Sequence, residues 1–151
     1  MFKVAYLDDE EAVIRQFQIS TMDKLDIPDN ELTDDIESII FMLKEEKYDA
    51  LIMDYSLNDT KDGINFTGID VINKVFEEME DFPCFILTSF EETAEEGNIN
   101  PDMIYSKSDV LGDSARFVRK IIRKINYQEK LNLINRVSLH LSKLLLRDHL
   151  N

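Results

Sequence analysis

Five residues have the types and the placement to do chemistry together. Asp8 and Asp9 follow the apolar run FKVAYL, Asp54 closes ALIMD, Thr88 follows CFIL, and Lys107 follows MIYS. Each stands where an apolar segment of strand length stops. In a parallel sheet the ligand site lies beyond the carboxyl ends of the strands, so residues at those ends converge. Three carboxylates within about 4 Å of one another repel by roughly 4 kcal/mol per pair at an effective dielectric of 20, and so require a cation or raised pKa values. An oxygen-only site with open positions suits Mg²⁺, which keeps several waters and accepts a phosphate oxygen as a further ligand. A hydroxyl and an ammonium opposite such a cluster are the groups a phosphoryl oxygen would need, one as donor and one as counter-charge.

The elements that must hold these residues can be read from the hydrophobic pattern. Five apolar segments alternate with helix-like stretches, which points to an α/β domain with a parallel sheet. The first strand is expected at Phe2 to Leu7, followed by a helix from Glu10 to about Leu25 carrying Val13, Ile14, Phe17 and Leu25 on one face. The second strand is expected at Asn30 to Thr33. Asp34 or Asp35 can cap the next helix, whose Ile36, Ile39, Ile40 and Leu43 have the spacing of a buried stripe. Strands are expected at Ala50 to Met53, Cys84 to Leu87 and Met103 to Ser106, with helices from Gly68 to Met79 and, as a short piece, from Glu91 to Glu96. Asp113 or Ser114 can cap a last helix that carries Phe117, Val118, Ile121, Ile122 and Ile125 toward the sheet, and neither Gly nor Pro stops it thereafter.

Composition narrows the setting. A chain of 151 residues has room for one ordinary domain and an appended helix. It has no 18-residue apolar run, and acid stands where a signal peptide would be apolar, so no membrane association and a cytoplasmic location are expected. Cys84 has no partner for a disulfide and reads as a small core residue. The net charge of −14 argues against nucleic acid as a partner. That charge is unevenly spread: residues 1–114 hold 8 Lys+Arg against 29 Asp+Glu, whereas residues 115–151 hold 9 against 2. An acidic body carries a basic tail.

The DD pair in YLDDEE, the strand-ending Asp in LIMDYS, the hydroxyl in ILTSF and the lysine in IYSKSD resemble, in order and spacing, the receiver domain of two-component response regulators. The resemblance covers roughly residues 2–127. It implies a flavodoxin-like, doubly wound five-stranded sheet of order 2-1-3-4-5, here with an extended C-terminal helix. It implies that Asp54 is the phosphoacceptor, taking a phosphoryl group from a phosphohistidine on a sensor histidine kinase or histidine phosphotransfer protein. Asp9 and Asp54 would bind Mg²⁺ directly with the main-chain carbonyl of Ser56, Asp8 would act largely through water, and Thr88 and Lys107 would hold phosphoryl oxygens. Such a domain is a signalling switch that catalyses only its own phosphorylation and dephosphorylation. Its usual aromatic three residues before the lysine is replaced by Ile104, with Tyr105 one place late, and the proline after the lysine is replaced by Ser108. The family's helix-opening glycine matches Gly68 better than Gly63, which makes the loop after Asp54 long, and the stretch from Thr88 to Lys107 is short.

Other readings compete with these. A receiver-like interaction module that signals through its C-terminal helix without phosphate would explain the changes at Ile104 and Ser108. A Mg²⁺-dependent phosphatase with an aspartyl intermediate would expect an acid where Ser56 stands. The loop NDTKDGINF has alternating oxygen donors at Asn58, Thr60 and Asp62, but Ile69 stands where a calcium loop needs Glu. His140 and His149 read as solvent- or partner-facing residues on a basic helix. Residues 128–151 form an extension beyond a 1–127 domain, read as a dimerising helix, a hairpin folding back on the acidic body, or a linker.

Overall fold

The computed structural model describes residues 1–57, 63–89 and 100–150. The chain alternates strand and helix: β1 (Phe2–Leu7), α1 (Glu11–Thr21), β2 (Leu25–Asp26), α2 (Ile36–Glu45), β3 (Ala50–Asp54), α3 (Gly68–Glu78), β4 (Cys84–Thr88), a 3-10 turn (Pro101–Met103), β5 (Ile104–Ser106), α4 (Lys107–Gly112) and α5 (Ser114–Leu150). All strands are parallel, in the order β2-β1-β3-β4-β5, the expected flavodoxin-like arrangement.

The sheet is covered on both faces, so its central strands are almost wholly buried and read as apolar runs. Alternation along each strand sorts side chains between two cores. Ala5, Leu7, Leu51, Met53 and Ile86 pack with Ile39, Ile40 and Leu43 of α2 and Val71, Ile72 and Val75 of α3. Val4, Tyr6, Ile52, Phe85 and Leu87 pack on the other side with Phe17 of α1 and Phe117, Val118, Ile121 and Ile125 of α5. Cys84 is buried among the apolar residues of the first core, as its sequence context suggests.

The second strand lies earlier than expected. Helix α1 ends at Thr21, whose hydroxyl turns back to the Phe17 carbonyl, and Lys24 N–H closes a turn onto the Thr21 carbonyl. Leu25 is therefore not on the helix face; it pairs with Phe2, and Asp26 pairs with Lys3. Residues 30–33 form no strand, although Leu32 is buried in the first core. The period-two pattern of Leu25, Asp26 and Ile27, ended by Pro28, is the stronger strand signal.

Other boundaries move by a residue, and one helix is new. Asp35, not Asp34, caps α2, accepting from Glu37 N–H. Asp113 accepts from Arg116 N–H at the start of α5. Lys107 opens α4, a six-residue helix that the hydrophobic pattern does not predict; Ser106 stands at its N-cap without a side-chain cap bond, its hydroxyl lying 2.8 Å from that of Ser108. The expected Glu91 to Glu96 helix and the loop residues Asn58, Thr60 and Asp62 lie outside the described residues.

Helix α5 runs unbroken for 37 residues and does not fold back into a hairpin. Gln128 is its last buried residue, and beyond the half-buried Leu131 every described side chain is exposed. Among the described residues, no helix is long and apolar enough to cross a membrane.

Candidate functional site

Strand register creates the acidic cluster. Leu7 pairs with Met53 on adjacent parallel strands, so the next residues, Asp8 and Asp54, emerge side by side. One carboxylate oxygen from each of Asp8, Asp9 and Asp54 lies within 4.8 Å of the others. Asp8 and Asp54 are buried, and Asp9 is half-buried. On the other side, Thr88 pairs with Ser106, and Lys107 follows at once. Its Nζ reaches back across the strand ends, 3.0 Å from Asp8 Oδ2 and 3.0 Å from Asp54 Oδ1.

The backbone around Asp54 is held from both sides. Tyr55 N–H donates to the Leu87 carbonyl at 2.9 Å, and Gly68 N–H donates to the Tyr55 carbonyl at 3.0 Å. The start of α3 is locked by a reciprocal capping box between Thr67 and Asp70. Asp54 thus projects from a central strand braced by β4 and by the first residue of α3.

Charge in this site is unbalanced. Burial first, then the Asp8 charge, pushes the Asp54 carboxyl up to about 8, with Lys107 opposing both. Burial likewise holds Asp8 above the ordinary carboxylate range, against the Glu10 backbone N–H at 2.9 Å and Lys107. Burial works to lower the Lys107 ammonium, but Asp54 and Asp8 more than offset it and leave it above its ordinary value. Among the described residues, one ammonium, Lys107, is paired with two members of this three-carboxylate cluster. A hard divalent cation fits both the surplus charge and the all-oxygen donor set, so Asp8, Asp9 and Asp54 could hold Mg²⁺.

Two further expected residues stand close to Asp54 along the strands and chain. Thr88 is buried at the end of β4, one position past Leu87, the partner of Asp54. Ser56 is half-buried, two residues past Asp54 at the start of the long loop.

The sequence reading missed Tyr6. Its hydroxyl donates to Asp8 Oδ2 over 3.4 Å, a long and weak bond, from beneath the cluster. Burial, then Asp8, raises its pKa, so the phenol stays protonated. A Tyr two residues before Asp8 in an otherwise mostly aliphatic buried strand was the available signal. Its ring makes an edge contact with Phe17, centroids 5.5 Å apart, and Phe17 meets Phe117 of α5 at 5.9 Å. Tyr105 packs on Phe117 at 5.0 Å and on Phe85 at 6.1 Å, with Lys120 over its ring. Ile104 packs against the opposite core.

No family model matches the sequence, and no curated protein is detectably similar to it. Solved structures are similar in fold. A response regulator receiver domain protein from Clostridium thermocellum superposes with a TM-score of 0.65 at 14% identity, covering 87% of this chain and 99% of that one. Histidine kinase ThkA in complex with response regulator protein TrrA contains a chain that matches with a TM-score of 0.60 at 16% identity, covering 80% of this chain and 98% of that one. TrrA from Thermotoga maritima in complex with Mg(2+)-BeF matches with a TM-score of 0.54 at 14% identity, covering 78% of this chain and 99% of that one. The chain has the fold of response regulator receiver domains.

Proposed function

We propose that this receiver-fold chain is the phosphoacceptor of a two-component phosphorelay, with Asp54 taking a phosphoryl group from a phosphohistidine of a sensor histidine kinase or histidine phosphotransfer protein. The observation that carries the reading is the meeting of Asp8, Asp9, Asp54 and Lys107 at one edge of the sheet. The similar TrrA structures, one with a histidine kinase and one with Mg(2+)-BeF, support it.

In this reading a carboxylate oxygen of Asp54 attacks phosphorus in line. The new P–O bond forms as the P–N bond breaks, and the bonding pair leaves with the imidazole. Asp8, Asp9, Asp54 and the main-chain carbonyl of Ser56 are the groups that would hold Mg²⁺. When bound, the ion supplies charge neutralisation and a template for the phosphoryl oxygens. Lys107 exchanges its pairing with Asp54 for one phosphoryl oxygen, and the Thr88 hydroxyl donates to another. The protein's own work is positioning and electrostatic stabilisation, which requires no general base.

Incubation with Mg²⁺ and a small phosphodonor should add one phosphate to the intact mass, and Asp54→Asn should abolish the addition. An unchanged mass with several donors overturns the reading. A phosphate-independent interaction module is the second reading, favoured by Tyr105: its ring is packed between Phe85 and Phe117 beneath Lys120. It expects Asp54→Asn to leave partner binding intact.

A further inference from the structure

Beyond Gln128, α5 carries an apolar face that none of the described residues of its own chain covers. Ile134, Val137, Leu141 and Leu144 are each at least 41% exposed. Together with Lys130 and Asp148 they occupy positions 130, 134, 137, 141, 144 and 148, which step by 4, 3, 4, 3 and 4. Steps alternating between four and three keep side chains on one seam of a supercoiled helix pair. This series also reads identically from either end. A helix of the same sequence, turned end for end, therefore presents a matching row.

We propose that this strip is a self-association seam on which a second copy of the chain docks antiparallel, centred between Val137 and Leu141. Ile134 then meets Leu144 of the second copy, and Val137 meets its Leu141. Lys130 meets Asp148 of the second copy at both ends of the seam. Beside it, Leu131 faces Leu145 of the second copy. Leu139 and Leu146 lie on the far side of the helix and take no part.

Charge selects both the occupant and its direction. A parallel pair would set Lys130 against Lys130 and Asp148 against Asp148, two like-charge pairs in a seam that should be apolar. It would also bring together two bodies that each carry 8 Lys+Arg against 29 Asp+Glu. The antiparallel pair converts those seam charges into two opposite-sign contacts. It separates the points where the helices leave their bodies by about 30 Å at 1.5 Å per residue, several times the Debye length of about 8 Å at physiological ionic strength. The inference does not rest on phosphoryl transfer, and Asp54→Asn should pair equally well.

Light scattering of the full chain tests the association, and it should report the mass of two chains. Leu141→Asp changes a side chain exposed in the single chain, so it should give one-chain mass with an unchanged circular dichroism spectrum. Direction is read with two single variants, Lys130→Cys and Asp148→Cys, since the native Cys84 is buried. Under mild oxidation their mixture should form a mixed disulfide severalfold faster than either alone self-links. A one-chain mass for the unaltered protein at all concentrations, an unchanged mass for Leu141→Asp, or self-linking as fast as mixed linking each overturns the proposal.

Discussion

Gly68 packs its Cα against the main-chain carbonyl of Asp54, so closely that a Cβ at position 68 would overlap that oxygen. The first residue of α3 is thus a steric stop for the strand end that carries the candidate phosphoacceptor. A side chain there would displace either the helix or Asp54.

Gly68→Ala should therefore destabilise the fold by about 1–3 kcal/mol, the usual cost of overpacking, and reduce phosphate incorporation at Asp54. Gly112→Ala is the control, because a Cβ there meets nothing within 4 Å. Thermal melts and intact mass after phosphodonor treatment would compare them. Equal behaviour of the two variants would contradict the steric role of Gly68.

The pH dependence follows from Asp54. Its carboxyl titrates at about 8 in the fold, against an ordinary value of 3.8, so the folded chain holds the proton more tightly than the unfolded one. Stability from this group is complete below about pH 4 and is lost as pH rises through about 8. Asp8 is shifted in the same direction. Without metal, the melting temperature should fall from pH 6 to pH 8.5, and Asp54→Asn should flatten this fall and be the more stable at pH 8, by roughly 1–2 kcal/mol or about 2–8 °C. Mg²⁺ should recover stability at pH 8 in the unaltered protein and less in Asp54→Asn. A flat profile for the unaltered protein would contradict the crowded-carboxylate picture.

Lys107 is the lone cation paired with Asp8 and Asp54 among the described residues. Lys107→Ala should lower the phosphorylation rate by on the order of 100-fold, the scale seen when one transition-state donor is removed. Mg²⁺ binding, followed by thermal shift, should persist, because the three carboxylates remain. Simultaneous loss of metal binding and of fold would instead make Lys107 a structural counter-charge.

Much of the sheet was readable in the chain because buried parallel strands are apolar runs ended by polar residues, as at Leu7-Asp8, Met53-Asp54 and Leu87-Thr88. The second strand was misplaced because a two-residue edge strand carries little periodic signal, and Leu25 fits a helical stripe as well as a strand. Helix α4 was missed because six residues span fewer than two turns, too few for a period to declare itself.

The sequence by itself determined which residues end the four strands that carry the site and that an acidic body bears a basic, apolar-faced helix, since these are properties of order and composition along one dimension. Tertiary structure decided the rest. Register between β1 and β3 places Asp8 beside Asp54, pairing of β4 with β5 sends Lys107 back over both, and Tyr6 comes to lie beneath them. Packing of α5 on the sheet ends at Gln128, leaving the apolar strip beyond it without cover from the described residues. These are relations between distant segments, set by how the layers close on one another, and no local pattern encodes them.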